Sequence, residues 1–128
     1  MIVIYGIRDK LDPIKAKLSD VIQSCMTDAL TLPADKRAHR IVPLEKEDFY
    51  YPKGRSDAYT VIEINMMEGR QVDTKKALIK LLFSRIEAEL GIAPIDVEIT
   101  IKEQPAHCWG FRGVTGDEVQ DLKYRVDV

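Results

Sequence analysis

The sequence predicts an α/β (α+β) fold in which two βαβ repeats form a four-stranded sheet, with both helices on one face and a C-terminal hairpin. Runs rich in β-branched residues alternate with stretches whose apolar residues recur at helical spacing. The order strand, helix, strand occurs twice, with an irregular segment between the copies. The two helices begin about 60 residues apart, which indicates a repeated unit closed by right-handed crossovers.

The first repeat begins with a β-branched run at 2–7, which predicts a strand. Asp12 as N-cap and Pro13 at the first helical position predict the helix start. A second strand follows at 39–45, where Pro43 indicates an edge strand or a bulge. The residues that form one buried helical stripe, ending near residue 30, are Ile14, Leu18, Val21, Ile22, Cys25, Met26 and Ala29.

The second repeat follows an irregular segment at 46–57 that is rich in turn formers and charges. Residues 58–67 predict a mostly buried strand. A helix follows from about residue 73 to residue 90, and Gly91 is a natural stop for it. Residues 95–103 alternate between apolar and polar, which predicts the fourth strand. The apolar face of this helix comprises Leu78, Leu81, Leu82, Ile86 and Leu90.

We expect residues 1–128 to form a single domain, because this length supports one core and not two. Its parts are the first repeat at about 1–46, the second at about 58–104, and a Gly-rich tail at 105–128 that predicts short strands or a hairpin. With both helices on one face, the other face of an apolar sheet needs cover. The pattern therefore predicts an oligomer.

The composition excludes several classes of function. Nineteen basic and 21 acidic residues are interspersed along the chain, so no strong field favours nucleic acid or an anionic membrane. No apolar run reaches the roughly 20 residues of a membrane span, and the first ten residues do not resemble a signal peptide. We therefore expect a cytoplasmic protein with reduced thiols at Cys25 and Cys108, although a disulfide between them stays open.

Several short motifs are spread over nearly the whole chain, namely Asp48-Phe49, Arg55-Ser56-Asp57, Val61-Ile62-Glu63-Ile64, Gly69-Arg70, Lys75-Lys76-Ala77-Leu78, Trp109-Gly110-Phe111, and Pro33 with Arg37. Together these motifs resemble the longer members of the tautomerase superfamily. This group includes malonate semialdehyde decarboxylase and shares the macrophage migration inhibitory factor fold. The resemblance implies a homotrimer with active sites at subunit boundaries, acting on small 2-oxo or enol carboxylic acids without a metal or organic cofactor.

The resemblance also implies an amino-terminal proline as catalytic base or acid, and here the sequence departs from the pattern. The chain begins Met1-Ile2, and because Ile2 is large we expect Met1 to be retained. Lys36 stands where the decarboxylase-like members have a catalytic Asp, and Glu68 where they have an Arg. Function must therefore be argued from the site and not from the fold.

Arg70 and Met1 are the predicted catalytic residues. A guanidinium matches a carboxylate or enolate bidentately, and Arg70 lies between a predicted strand and a predicted helix. The alternative is a solvated loop arginine. The Met1 α-amine is the candidate replacement for the proline nitrogen, since burial and a neighbouring arginine would lower its pKa. The alternative is an inert, exposed terminus.

Arg37, Trp109 and Phe111 are the predicted substrate-binding residues, Arg37 for a carboxylate and the aromatic pair as an apolar wall. Arg37 could equally be a solvated charge, and the pair could simply cover the sheet. Neither His39 nor His107 has partners at metal spacing, so we predict no metal site. The sequence supports a tautomerase-like protein with weak or altered catalysis, a small-anion-binding trimer without chemistry, or a purely structural oligomer.

Overall fold

The computed structural model describes residues 1–119 of the 128-residue chain. In chain order, the elements of the two repeats are β1 (Ile2–Ile7), α1 (Arg8–Leu11), α2 (Lys15–Leu30), β2 (His39–Leu44), β3 (Thr60–Met67), α3 (Val72–Leu90) and β4 (Val97–Gln104). The hairpin strands β5 (Gly110–Phe111) and β6 (Val114–Thr115) follow. The predicted fold class is confirmed, and residues 120–128 of the predicted tail lie outside the described residues.

The four long strands form one mixed sheet in the order β2-β1-β3-β4. Within each repeat the two strands are parallel, Ile2 lying opposite His39 and Thr60 opposite Val97. The repeats meet at the centre of the sheet, where β1 and β3 pair in antiparallel fashion. Pro43 lies in the edge strand β2, as predicted, where its missing N–H costs no hydrogen bond of the ladder.

The hydrophobic core lies between one face of the sheet and the helices α2 and α3. Alternate residues of β3 are buried, as a period of two requires when one face is covered. The predicted helical stripes supply the other side of this core. Its fully buried members include Ile4, Ile62, Ile64, Leu18, Ile22, Cys25, Leu78 and Leu82, while Leu81, Leu90, Ile14 and Ala29 pack partly buried around them.

The start of the first long helix differs from the prediction. Asp12 ends the short helix α1 and does not cap α2, which begins at Lys15. The extra turn follows from the burial of Leu11, whose side chain lies over Gly6, 3.4 Å from the position of a Cβ there. The Asp12 carboxylate instead lies 3.4 Å from Lys15 Nζ and 3.8 Å from Arg8 Nη1.

The sheet face away from the helices is mixed in polarity, whereas the sequence pattern had indicated an apolar one. Val3 and Val61 are half-buried on it, but a polar cluster lies beside them. Glu63 accepts hydrogen bonds from the Tyr5 hydroxyl at 2.8 Å and from Lys102 Nζ at 2.7 Å. These contacts lower the pKa of Glu63, chiefly through the Lys102 hydrogen bond and then that of Tyr5. Cover of this face must therefore suit ionic as well as apolar groups.

Candidate active site

A cleft of about 580 Å³ opens at the end of the sheet where β1 begins and β3 ends. All five residues predicted from the sequence line it, namely Met1, Arg37, Arg70, Trp109 and Phe111. Among the described lining residues, one charged side chain is acidic, that of Asp35, and the others are basic, namely Lys36, Arg37, Arg40, Arg70 and Arg112. This composition suits a small anionic ligand.

Arg70 is buried, with only 7% of its surface exposed, which excludes the interpretation as a solvated loop arginine. It lies between β3 and the start of α3. The preceding Gly69 has a φ of 134°, a conformation that residues with a Cβ rarely adopt, and it allows the chain to turn sharply there. A guanidinium held away from water offers stronger ionic and hydrogen-bonding contacts to a ligand than an exposed one.

Met1 is fixed to the end of β3 by two backbone contacts with Asn65. The α-amine donates a hydrogen bond to the Asn65 carbonyl at 2.8 Å, and the Met1 carbonyl accepts one from the Asn65 N–H at 2.8 Å. The Asn65 side-chain amide also donates to the Met1 carbonyl, at 3.3 Å. The terminal nitrogen is therefore held in one place at the rim of the cleft.

The electrostatic environment favours the neutral form of this amine. Burial is the main cause that lowers the pKa of the Met1 α-amine below its usual value of 8.0, and the positive charges of Arg40 and Arg70 lower it further. A neutral amine can accept a proton or attack a carbonyl, and a protonated one can do neither. The Met1 α-amine is therefore deprotonated more easily than an ordinary amino terminus.

His39 enters the cleft from the start of β2, where its ring is held by α2. Its Nδ1 lies 2.7 Å from the hydroxyl oxygen of Ser19. Burial, then the charge of Arg37, then the amino terminus lower the pKa of His39 to about 4. The ring is therefore neutral at physiological pH, and it adds a hydrogen-bonding group to the cleft without adding charge.

Arg37 is less available to bind a ligand than predicted, because its guanidinium is paired with Asp20. Its guanidinium lies 2.6 Å from Asp20 and 3.5 Å from the Ser19 hydroxyl, and its side chain is 41% exposed. The ion pair with Asp20 offsets part of its positive charge. The contact of Arg37 with the Ser19 hydroxyl lies next to the contact between Ser19 and His39.

The aromatic side of the cleft is built by the C-terminal hairpin of β5 and β6. Trp109 and Phe111 are both half-buried, and the Trp109 indole N–H donates to the Gln104 carbonyl at 3.3 Å. Gly116 fixes the hairpin, because its N–H donates to the Trp109 carbonyl at 2.7 Å. A Cβ at position 116 would lie 2.4 Å from the Ala106 carbonyl oxygen, so the close approach requires glycine.

Arg40, Arg112 and Asn65 also line the cleft, and sequence reasoning did not single them out. Arg40 becomes a neighbour of Met1 only through the parallel pairing of β1 with β2, which a single sequence does not disclose. Arg112 has a positive φ of 54° and places its guanidinium carbon 5.5 Å from the centre of the Phe111 ring. Such a stacked arrangement is a cation–π contact.

Residues 1–119 contain neither a metal-binding cluster nor a membrane-spanning helix. No group of three or more His, Cys, Asp or Glu side chains in this range is arranged to hold a metal ion. No helix in this range is long and apolar enough to cross a membrane. Cys25 is buried and Cys108 exposed, and both thiols are free.

Comparison with known proteins gives one consistent family. A family model described as "Tautomerase enzyme" matches residues 36–112. The probable tautomerase YusQ of Bacillus subtilis (strain 168) is 31% identical over 100 residues, which cover 74% of this chain and 79% of the relative.

Solved structures agree on the fold. A fused 4-OT, solved as a wild-type asymmetric trimer, has a TM-score of 0.80 at 24% identity, over 91% of this chain and 95% of that one. A malonate semialdehyde decarboxylase inhibited by 3-bromopropiolate has a TM-score of 0.78 at 24% identity, over 87% of this chain and 88% of that one. At such identities these structures carry the fold alone, whereas the family model and the Bacillus relative carry the family. The chain belongs to the tautomerase family.

Proposed function

We propose that the cleft binds a small 2-oxo or enol carboxylic acid and promotes proton transfer between its carbon and oxygen atoms, more slowly than an enzyme with a terminal proline. The observation that carries this proposal is the buried guanidinium of Arg70 in the same cleft as the Met1 α-amine. Family membership supports it. The inhibitor in the malonate semialdehyde decarboxylase structure, 3-bromopropiolate, is itself a small carboxylate.

Each residue has a defined role in this proposal. Arg70 binds the carboxylate or the enolate oxygen, and Arg37 and Arg40 add positive charge along the path of entry. The neutral α-amine of Met1 takes or returns the proton at carbon. Trp109 and Phe111 exclude water, which strengthens the ionic contacts. No metal or organic cofactor takes part.

The test is the ketonisation of phenylenolpyruvate by the wild-type protein and by Arg70→Ala. We expect turnover above the buffer rate that falls about 100-fold or more in the variant, because an oriented charge on the developing oxyanion is lost. Arg8→Ala is the matched control. It removes an arginine that pairs with Glu45 on the surface, outside the cleft, and should leave the rate unchanged.

Arg70→Lys keeps the charge and separates loss of fold from loss of function. A stable Lys variant with partial activity supports a bidentate clamp, since an ammonium cannot reproduce two parallel hydrogen bonds. Circular dichroism of both variants checks that each is folded. Full activity in a folded Arg70→Ala protein would exclude Arg70 from the mechanism.

A second candidate function is a small-anion-binding protein without chemistry. The hydrogen bond from the Met1 amine to the Asn65 carbonyl favours it, because that contact stabilises the protonated form of the amine. It predicts binding of phenylpyruvate by calorimetry, lost in Arg70→Ala, with no ketonisation by either protein. Absence of both binding and turnover would overturn both candidates.

We also propose that the chain assembles as a homotrimer. The trimeric fused 4-OT structure supports this, as do the half-buried Val3 and Val61 on the open sheet face. Light scattering coupled to gel filtration tests it directly. A stable monomer at micromolar concentration would contradict the trimer and the placing of active sites at subunit boundaries.

A further inference from the structure

The α-amine of Met1 is held in one place at the rim of the cleft. Its nitrogen lies 2.8 Å from the Asn65 carbonyl, which is itself fixed by the antiparallel ladder between β1 and β3. A nitrogen that is already fixed loses less entropy when it bonds to a ligand than one that rotates freely. Among the described residues, Lys36 also brings an amine to the cleft, from the exposed loop before β2.

Met1 is 47% exposed as a residue, and its α-amine lies at the rim of the cleft, where it is partly desolvated and close to positive charge. Amines that form imines in proteins are activated by desolvation in an apolar pocket or by a neighbouring cation, both of which maintain the neutral form. Here burial and the charges of Arg40 and Arg70 act together on the pKa of the amine. The α-amine of Met1 is a primary amine. It can therefore form a neutral imine, a step that removes both hydrogens of the neutral amine.

We infer that Met1 is a covalent catalyst: its primary amine condenses with the ketone carbonyl of a small 2-oxo acid, while Arg40 and Arg70 hold the adjacent carboxylate. This inference takes its class of ligand from the proposed function. The inference differs from the proposed function in the bond that Met1 forms, because a general base never bonds to the ligand's carbon.

The chemistry balances without a further reactant. The nitrogen attacks the ketone carbon to give a carbinolamine, whose hydroxyl leaves with a proton as water, and a C=N bond replaces C=O. The protonated imine keeps one N–H, which can continue to donate to the Asn65 carbonyl. Loss of a proton from the carbon next to the imine carbon gives an enamine, and protonation and hydrolysis return the amine and the 2-oxo acid.

The experiment is reductive trapping with pyruvate and sodium borohydride, followed by intact mass and peptide mapping. Borohydride reduces the C=N bond, so the adduct has the mass of the protein plus pyruvic acid less one oxygen atom. We expect a single adduct on the Met1 peptide. Its yield should fall about tenfold or more in Arg70→Ala, since the carboxylate loses its clamp. Lys36→Arg retains the charge and removes the competing amine, so the adduct should still form on the Met1 peptide.

A second arm uses exchange instead of trapping. In D₂O the enamine takes deuterium on carbon, so the methyl protons of pyruvate should exchange faster with the wild-type protein than with protein acylated at the α-amine. Because the pKa of the α-amine is lowered, acylation at mildly acidic pH modifies it while lysines remain protonated.

The outcomes separate this inference from the proposed function. An adduct on Met1 that depends on Arg70 supports it. An adduct on Lys36, or spread over surface lysines, overturns it. Ketonisation without any trapped adduct also overturns it and leaves Met1 as a non-covalent base. Absence of an adduct, of ketonisation and of phenylpyruvate binding overturns the inference and the proposed function together.

Discussion

The two ends of the four-stranded sheet share one backbone plan and differ in chemistry. Ile2 pairs with His39 in the first repeat and Thr60 with Val97 in the second, 37 residues apart in both cases. Ile2 of the first repeat therefore corresponds to Thr60 of the second, and Gly6 corresponds to Ile64. Under this correspondence the antiparallel pair Ile2–Ile64 is equivalent to the pair Gly6–Thr60. By this register Met1 corresponds to Tyr59, Ala38 to Asp96, His39 to Val97 and Arg40 to Glu98.

These corresponding residues produce opposite environments. The end that contains Met1 is a basic cleft of about 580 Å³, whereas the end that contains Tyr59 is a pocket of about 210 Å³ with Lys10 as its charged lining residue among those described. The Tyr59 hydroxyl donates to Glu98 at 2.8 Å. Burial and then this hydrogen bond raise the pKa of Tyr59 to about 12. The phenol therefore stays neutral, and its proton is engaged in the hydrogen bond to Glu98.

The comparison indicates which features serve the fold and which serve the site. Both ends have the same strand pairing, so pairing alone does not create the basic cleft. The first end adds a terminal amine, a buried arginine and an exposed arginine. At the second end, Asp96 and Glu98 accept hydrogen bonds from Ser56 and Tyr59. The concentration of positive charge at the first end is the feature on which the proposed function depends. The following changes test it, position by position.

Asp96→Ala should have the largest effect on stability, about 3 kcal/mol, because the buried carboxylate accepts two hydrogen bonds that would be lost. Its oxygens lie 2.8 Å from the Ser56 N–H and 2.7 Å from the Ser56 hydroxyl. Urea denaturation measures the change. Asp57→Ala is the control, since the Asp57 side chain is 47% exposed and lies 3.9 Å from Lys10, and it should cost less than about 0.5 kcal/mol. A loss in Asp96→Ala as small as that in the control would show that the Ser56 contacts do not stabilise the fold.

Protonation of His39 should lower stability on the order of 2 kcal/mol between pH 6.5 and pH 4. Its pKa in the fold is about 4 against 6.5 unfolded, so in this window the unfolded chain binds more protons and stability falls as the pH falls. The partial exposure of the ring keeps the loss below that of a fully buried group. Urea denaturation across this pH range should show a shallower slope in His39→Gln. His107→Gln, at an exposed histidine outside the cleft lining, is the matched control.

Features that depend on neighbouring residues along the chain could be predicted from the sequence, whereas features that depend on contacts between distant residues could not. The helical stripe from Leu18 to Met26 and the strand at 2–7 follow from local periodicity, and both are confirmed. The burial of Arg70 has no local signal, because its neighbours resemble those of a solvated loop arginine. The contact of His39 with Ser19 and the proximity of Arg40 to Met1 depend on strand register and helix packing. The roles of the site residues remain predictions.

Tyr59→Phe should lower stability by about 1 kcal/mol, the usual net contribution of one hydrogen bond, without changing ligand affinity. Tyr59 is 5% exposed and its hydroxyl is bonded to Glu98, at the end of the sheet away from the cleft. Thermal unfolding and phenylpyruvate titration measure the two quantities. Tyr50→Phe, at a side chain that is 89% exposed, is the control and should change neither. A loss of affinity in Tyr59→Phe would mean that the two ends are coupled.

Arg40→Gln should have the smallest effect, an upward shift in the pKa of the Met1 α-amine. The charge of Arg40 disfavours the protonated amine, so its removal moves the pKa back towards 8.0. Burial, the larger cause, is unchanged, so the shift is only part of the total. The pH dependence of α-amine acylation measures this pKa whether or not the protein turns over a substrate, and the neutral fraction near pH 7 should fall.

Arg8→Gln is the matched control, because Arg8 is exposed, pairs with Glu45 and lies outside the cleft. It should leave the acylation profile of Met1 unchanged. The shift caused by Arg40→Gln should also shrink at high salt, since an exposed charge is screened over the Debye length. If the pKa of the Met1 α-amine does not rise in Arg40→Gln, then Arg40 does not lower it, and burial and Arg70 remain as the causes. The contrast between Arg40 and Glu98 would then have no part in the difference between the two ends.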